Sequence, residues 1–120
     1  MTKILAVDDS RTMRSMLQAS LTGAGFDVQL AEDGVDGLEK LKDSAPDLII
    51  TDINMPNLDG FGFIEGVRQG QRLNSVPILV LTTETGDHLK KRARDAGATG
   101  WIVKPFDEEK LVTIINRLVV

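Results

Sequence analysis

The chain has 120 residues, about the size of one domain, and its formal net charge of −4 disfavours nonspecific binding to nucleic acid or to anionic membranes. It has no cysteine and one histidine, which excludes disulfides, zinc–thiolate sites and cysteine nucleophiles. No apolar run approaches the roughly 20 residues that span a bilayer, and we therefore expect one cytoplasmic domain over residues 1–120.

Apolar runs of strand length alternate along the chain with stretches whose apolar residues recur at the helical period. In chain order, the strand-like runs are Ile4–Val7, Asp27–Ala31, Leu48–Thr51, Ile78–Leu81 and Trp101–Val103. The helical stripes that follow them are Met13, Met16, Leu17, Leu21 and Ala24; Val35, Leu38 and Leu41; Phe63, Ile64 and Val67; Leu89, Ala93 and Ala96; and Leu111, Ile114, Ile115 and Leu118. Ser10 and Asp107 are suited to begin the first and last helices, and Gly25 and Gly97 to end the first and fourth.

This alternation predicts an α/β domain in which a five-stranded, mostly parallel sheet carries five helices on its two faces. The runs at 4–7, 48–51 and 78–81 are almost wholly apolar, as central parallel strands are. The run at 27–31 alternates and carries charge, which indicates an edge strand. Strand order 2-1-3-4-5, the doubly wound flavodoxin-like order, satisfies both observations and puts the switch point at the carboxyl ends of strands one and three.

Reactive side chains lie at the ends of four predicted strands. Asp8 and Asp9 follow the first run and Asp52 the third. Thr82 and Lys104 follow the fourth and fifth. Taken singly, the first two aspartates would merely cap a helix, and the threonine and lysine would be ordinary strand and surface residues. Their convergence at one sheet edge instead favours a site for Mg²⁺, which prefers oxygen ligands, and for a phosphoryl group.

Asp52 is the candidate nucleophile, because an aspartate can attack phosphorus and form an acyl phosphate. Phosphoryl transfer needs mainly positioning and charge neutralisation, which Mg²⁺ and Lys104 would supply, while Thr82 would donate its hydroxyl to a phosphoryl oxygen. Asn54 stands where aspartyl phosphatases often carry a second aspartate, and an amide cannot act as general acid or base. These residues favour a long-lived acyl phosphate, which is a signal, over an aspartyl phosphatase.

With these residues assembled, the chain closely resembles the receiver domain of bacterial two-component response regulators over its whole length. The resemblance rests on Val7-Asp8-Asp9-Ser10, Thr51–Gly60, Leu81-Thr82, Ala96-Gly97-Ala98 and Val103-Lys104-Pro105-Phe106. It implies the 2-1-3-4-5 receiver fold, Mg²⁺ as cofactor and a histidine kinase as phosphoryl donor. Asp52 would be the phosphoacceptor, and Thr82 and Lys104 would bind the phosphoryl group.

The same resemblance implies a metal site and a backbone feature. Asp9 and Asp52 would bind Mg²⁺ directly together with the backbone carbonyl of Asn54, and Asp8 would act mostly through water. The Lys104–Pro105 bond is usually cis in the family, whereas the base rate of about 5–6% for X–Pro bonds would leave it trans. A cis bond would turn the lysine back over the site.

Within the family, the chain looks most like the stand-alone, CheY-like chemotaxis regulators. The segment Asp9–Arg14, the pair Asn54 and Glu84, and the lack of an output domain in these 120 residues point to that group. It implies a chemotaxis kinase as donor and the flagellar motor switch as target, with signalling by binding and no enzymatic turnover. We expect a monomer, with dimerisation on phosphorylation as the alternative. The rival function is a phosphorelay intermediate or phosphate sink; a degenerate receiver is disfavoured because all five signature side chains are present.

Two positions linked to switching depart from the family pattern. Trp101 stands where a Tyr or Phe usually turns inward as Thr82 shifts, and plain packing on the last strand is the alternative. Thr83 stands where a smaller residue is commoner, and its branched side chain would narrow access to Asp52 and slow hydrolysis. A basic stretch on the fourth helix is either a solvated face or a docking stripe for an acidic segment; it comprises Lys90, Lys91, Arg92 and Arg94.

Overall fold

Residues 1–70 and 73–119 are described by this computed structural model. The strands are β1 (Lys3–Val7), β2 (Asp27–Ala31), β3 (Leu48–Thr51), β4 (Ile78–Thr82) and β5 (Gly100–Val103). The helices are α1 (Arg11–Gly23), α2 (Gly34–Leu41), α3 (Gly60–Gln69), α4 (Asp87–Ala96) and α5 (Glu108–Leu118). All five strands are parallel and form one sheet in the order β2-β1-β3-β4-β5 in this part of the chain, which confirms the predicted doubly wound fold. The predicted domain limit, Val120, lies outside the described residues.

The burial of the strands follows their places in the sheet. β3 and β4 are buried along their whole length, and β1 is buried from Ile4 to Val7. β2 alternates between exposed and covered residues, which confirms its predicted edge position. β5 forms the other edge and is only partly covered. Because β1 lies between β2 and β3, the carboxyl ends of β1 and β3 flank the switch point of the sheet.

Helices cover both faces of the sheet, because side chains alternate between the faces along each strand. Leu5 joins a core with α2, α3 and α4 in which Phe63 is the largest fully buried side chain. Ile4 joins the opposite core, to which α1 and α5 contribute Leu17 and Leu111. None of the helices within residues 1–70 and 73–119 is long and apolar enough to cross a membrane.

Three residues of the predicted apolar stripes do not reach a core. Met16 is 50% exposed and Val35 is 52% exposed. Ala24 lies beyond α1 as its C-cap and is exposed. Leu17 and Leu21, one turn apart, carry the contact of α1 with the sheet, so Met16, about 100° away around the helix from Leu17, points outward. Val35 lies in the first turn of α2, outside the buried face of that helix.

The start of α2 braces the loop that follows β3. Asp33 caps α2, since its Oδ1 accepts a hydrogen bond from Asp36 N–H at 2.8 Å, and its Oδ2 accepts one from the Asn57 side-chain amide at 2.7 Å. Asn57 has a left-handed φ of 68°, which asparagine tolerates better than most residues. The hydrogen bonds from Asp36 and Asn57 lower the pKa of Asp33 below its ordinary value of 3.8.

Replacing Asp33 should therefore destabilise the fold in a pH-dependent way. We expect Asp33→Ala to lower the free energy of unfolding by about 2 kcal/mol at about pH 7, because it removes a helix cap and leaves the Asn57 amide without its acceptor. Asp33→Asn has one side-chain oxygen, keeps one of the two contacts and should cost less.

The sign of the pH effect follows from the lowered pKa. Below 3.8 the unfolded state binds more protons than the folded state, so the contribution of Asp33 is present above that pH and is lost as the pH falls through the folded-state pKa. Urea unfolding of wild type and Asp33→Ala across this range measures the effect. A stability difference that stays constant into strong acid would contradict it.

Candidate functional site

The reactive residues meet at the carboxyl edge of the sheet. Asp8 and Asp9 follow β1 and Asp52 follows β3, and these two strands are neighbours. Thr82 ends β4, and Lys104 follows β5. Four separate chain segments thus contribute to one region at the switch point of the sheet.

Lys104 reaches across the sheet edge to two carboxylates. Its Nζ lies 2.7 Å from Asp8 Oδ2 and 2.9 Å from Asp52 Oδ2. All three side chains are largely buried, with 11% of Lys104, 2% of Asp8 and 12% of Asp52 exposed. At this burial the three charges depend on one another, because removing one partner leaves an uncompensated charge away from water.

The start of α1 fixes the position of Asp8. Ser10 N–H donates a hydrogen bond to Asp8 Oδ1 at 2.9 Å, and the Arg14 guanidinium donates one to the Asp8 carbonyl at 2.7 Å. Ser10 is the N-cap of α1, since its Oγ accepts a hydrogen bond from Met13 N–H at 3.2 Å. The capping role that the sequence alone allowed for Asp8 and Asp9 therefore falls to Ser10.

Asp52 is held by the loop that contains it and by α3. Its Oδ1 accepts a hydrogen bond from Ile53 N–H at 2.6 Å, and its own N–H donates to the Val7 carbonyl at 3.0 Å. Gly60, the first residue of α3, packs directly against this loop: a Cβ there would lie 2.2 Å from the Asp52 carbonyl oxygen and 2.8 Å from Ile53 Cα. The close packing of α3 against the loop thus depends on glycine at this position.

Burial and ion pairing act in opposite directions on the charged groups. Burial raises the pKa of Asp8, and the hydrogen bonds from Lys104 and Ser10 offset only part of that rise. Burial lowers the pKa of Lys104, but its hydrogen bonds to Asp8 and Asp52 outweigh this and the net shift is upward. Lys104 therefore stays charged at neutral pH, and a further cation near Asp8 would favour the ionised carboxylate.

The carboxylate cluster fits a hard divalent cation. Asp8, Asp9 and Asp52 each offer one oxygen, and the three oxygens lie within 4.8 Å of one another. Lys104 supplies a single positive charge against these three carboxylates. Asp9 is exposed, so the cluster is open to water. Mg²⁺ takes oxygen ligands, binds one or two carboxylates and keeps several waters, which suits this donor set.

Glu84, in the loop between β4 and α4, joins three parts of the site. Its Oε1 accepts a hydrogen bond from the Asn54 side-chain amide at 2.9 Å. Its backbone N–H donates to Thr82 Oγ1 at 3.3 Å, and its carbonyl accepts from the Trp101 indole N–H at 3.1 Å. The half-buried Trp101 ring also packs against the core that contains α3 and α4. The loop after β3, the end of β4 and the ring on β5 are therefore linked through one residue.

Thr83 and Pro105 lie at the rim of the site, and both are exposed. The Lys104–Pro105 bond is cis, as the family resemblance implied and the base rate did not. Among residues 1–70 and 73–119, no hydrogen bond links the Thr83 hydroxyl to the carboxylates, so the predicted effect of Thr83 on access to Asp52 would have to be steric.

A family model for the response regulator receiver domain matches residues 4–116 of the chain. The chain belongs to this family. Receivers are signalling modules, and the matched segment includes all the residues of the cluster described above. The family resemblance drawn from the strand-end motifs is thereby confirmed.

Similar solved structures include the chemotaxis protein CheY4 of Vibrio cholerae, which is 44% identical with a TM-score of 0.94 and 98% of each chain covered. The receiver domain of sensor histidine kinase PA1611 of Pseudomonas aeruginosa is 27% identical, with a TM-score of 0.91 over 98% of this chain and 97% of that one; its structure has a magnesium ion coordinated in the active-site cleft. Sensor histidine kinase CheAY of Helicobacter pylori is 35% identical over 116 residues, or 95% of this chain. The chain spans 14% of the length of that kinase.

Two residues that shape this receiver's site were given no role by the sequence analysis, although both lie in segments that carry the family resemblance. Arg14 lies four residues after the N-cap Ser10, but helical spacing does not predict that its guanidinium turns back to the Asp8 carbonyl. Gly60 precedes the apolar stripe of α3, where a glycine equally suits an unconstrained loop. Its close approach to Asp52 arises from tertiary packing, which helical or strand periodicity does not predict; its place at the end of the Thr51–Gly60 motif was the available signal.

Gly60→Ala should damage both stability and the site. Its methyl group would overlap backbone atoms of Asp52 and Ile53, which cannot move without displacing the carboxylate, so we expect a loss of about 2–3 kcal/mol and weaker Mg²⁺ binding. Gly23→Ala is the matched control, because a Cβ at that end of α1 meets nothing within 4 Å. It should be neutral or stabilising by up to about 1 kcal/mol. Urea unfolding and Mg²⁺ titration of Trp101 fluorescence measure both; equal behaviour of the two variants would contradict the role given to Gly60.

Proposed function

We propose that residues 1–120 form one receiver domain that accepts a phosphoryl group from a histidine kinase onto Asp52 and signals by phosphorylation-dependent protein binding. The observation that carries this proposal is the pair of short contacts from Lys104 to Asp8 and Asp52. They hold an ammonium beside a carboxylate whose edge of the sheet also carries Asp9. Such a combination supplies a nucleophile and the positive charge that a transferred phosphoryl group requires.

In the proposed reaction, an Asp52 carboxylate oxygen attacks the phosphorus of a phosphohistidine. A new O–P bond forms as the P–N bond breaks, and the leaving imidazole nitrogen takes up a proton from water. The Lys104 ammonium, which contacts both Asp8 and Asp52 in this structure, would bind one phosphoryl oxygen. The Thr82 hydroxyl would donate a hydrogen bond to another. Asp9, Asp52 and the Asn54 carbonyl would hold Mg²⁺, with Asp8 acting through water; the bound ion would neutralise charge on the phosphoryl group.

Asn54 supports a signalling role over turnover of a phosphoester. Its side-chain amide is neither an acid nor a base near neutral pH, and its Nδ2 donates a hydrogen bond to Glu84 Oε1 at 2.9 Å. The Asp8, Asp9 and Asp52 carboxylates would be engaged with the cation, and the Glu84 carboxylate accepts the Asn54 amide, so none of these four is placed as a general acid or base. An aspartyl phosphatase is therefore the less favoured alternative.

We further propose that this receiver acts in the cytoplasm in chemotaxis, taking phosphate from a chemotaxis kinase and binding the flagellar motor switch. Support comes from CheY4, a chemotaxis protein that matches the chain at 44% identity with nearly full coverage of both. A segment of the sensor histidine kinase CheAY also matches, which supports a histidine kinase as donor. The alternative is a phosphorelay intermediate or phosphate sink, for which no motor binding is expected.

Acetyl phosphate or phosphoramidate should add one phosphoryl group to the protein, detected by intact mass, only when Mg²⁺ is present. Asp52→Asn should abolish the adduct, because an amide oxygen is a poor nucleophile. Asp59→Asn is the matched control: Asp59 follows in the same loop and caps α3 by accepting a hydrogen bond from Gly62 N–H, and asparagine caps equally well. This control should form the adduct as wild type does.

Trp101 reports folding and Mg²⁺ binding in the same samples, because it is the single tryptophan in a chain without tyrosine. An adduct on Asp52→Asn would refute Asp52 as the acceptor. A wild-type protein that binds Mg²⁺ but never gains mass would have a cation site without acceptor chemistry, and the degenerate-receiver alternative would then be favoured.

The chemotaxis assignment makes a separate prediction. A peptide from the flagellar motor switch protein of the source organism should bind the phosphorylated protein at least about tenfold more tightly than the unphosphorylated protein, which corresponds to about 1.4 kcal/mol of coupling. Fluorescence anisotropy of the labelled peptide measures both affinities. Equal, weak binding in the two states would favour the phosphorelay or phosphate-sink alternative while leaving the Asp52 chemistry intact.

A further inference from the structure

A groove of about 670 Å³ runs between α3 and α4. Its charged and titratable lining comprises Glu65, Arg68, His88, Lys91, Arg92 and Asp95. We propose that this groove, here called the α3–α4 groove, docks an acidic segment of a partner protein with Arg92 as its anchor. The site is separate from the carboxylate cluster, and the proposal does not depend on phosphoryl transfer.

Arg92 is held in place with its hydrogen-bonding groups available. Its guanidinium carbon lies 4.0 Å from the centroid of the Phe61 ring, and Phe61 is only 3% exposed. This stacking restricts the guanidinium to one plane while its N–H donors remain at the edge. Across the described ranges, no carboxylate lies within ion-pair distance of Arg92. A planar, preorganised donor without a partner suits bidentate recognition of a carboxylate.

The other charges of the groove leave a positive balance. Lys91 pairs with Asp95 at 2.9 Å, so that carboxylate is already engaged. Arg68 donates hydrogen bonds to the carbonyls of Gly97 and Leu73 and keeps its charge, although burial lowers its pKa. Glu65 opposes an anionic ligand. Three cations therefore face two carboxylates, in a chain whose net charge is −4.

An acidic peptide fits these features better than a small anion. The groove follows α4 from His88 to Ala96, a distance of about 12 Å along the helix, which an extended peptide of about four residues would span. Because Glu65 also lines the groove, a single small anion would be held poorly, whereas a peptide gains from successive contacts along the groove. Lys90 and Arg94 line the other side of α4 together with Trp101, with no carboxylate among the described residues of that lining, so this flank is the competing site that the test has to separate.

The test uses a fluorescein-labelled hexaglutamate peptide and the unphosphorylated full chain at low salt. We expect chemical-shift changes in ¹⁵N-labelled protein to map to α3 and the facing side of α4. Arg92→Ala should weaken binding about fivefold or more, since it removes the one charge-assisted anchor. Arg94→Ala is the matched control, with the same residue type and charge lost from the same helix on the opposite flank, and should change the affinity less than about twofold.

Two further measurements keep the proposal falsifiable. Arg92→Lys retains the charge without the planar fork and should give an intermediate affinity, and unfolding midpoints show whether loss of the Phe61 contact has disturbed the fold. Asp52→Asn should bind the peptide as wild type does, which separates this site from the proposed acceptor chemistry. Equal losses in Arg92→Ala and Arg94→Ala, shifts centred on β5, absence of binding, or inorganic phosphate binding as tightly as the peptide would each overturn the proposal.

Discussion

The ammonium of Lys104 is the group on which the site depends. The sheet brings the carboxylates of Asp8, Asp9 and Asp52 to one edge, where their mutual repulsion and the burial of Asp8 both oppose folding. Lys104 offsets this with two short ion pairs and keeps its own charge in return. The three carboxylates still carry more negative charge than Lys104 neutralises, so the folded site favours the binding of a further cation. A cation and a phosphoryl group, bound together, would redistribute these contacts without leaving any of the charges unpaired.

Packing behind the cluster gives these electrostatics a fixed frame. Gly60 lets α3 approach the Asp52 carbonyl more closely than any side chain would allow, and Gly60 N–H donates to the Ile53 carbonyl at 2.8 Å. On the other side of the loop, Asn57 is tied to the cap of α2 at Asp33. The loop after β3 is therefore held from two helices. A carboxylate on such a loop keeps its position when its ionic partners change. Such preorganisation is what stabilises the charge that develops during group transfer.

Much of this architecture could be predicted because its signals are local. Apolar runs mark the central strands, and parallel pairing then places whatever follows them at one edge, so Asp8, Asp52 and Lys104 could be grouped without coordinates. The rotation of a helix about its axis was harder to predict from the sequence. Met16 fits the helical period of α1 but points outward, because contact with the sheet, and not the period alone, determines which residues are covered. The turn of Arg14 toward the Asp8 carbonyl depends on side-chain conformation, which helical periodicity does not predict.

Glu84 contacts Asn54 and Trp101 through chemically different groups. The contact with Trp101 uses the backbone carbonyl, whereas the contact with Asn54 uses the side-chain carboxylate. Every amino acid at position 84 has this backbone carbonyl, so a change of side chain there does not remove the acceptor for the Trp101 indole N–H. The hydrogen bond to the Asn54 amide, in contrast, is lost with the carboxylate. A change of side chain at position 84 can therefore alter the contact with Asn54 in the loop after β3 and leave the connection to β5 in place.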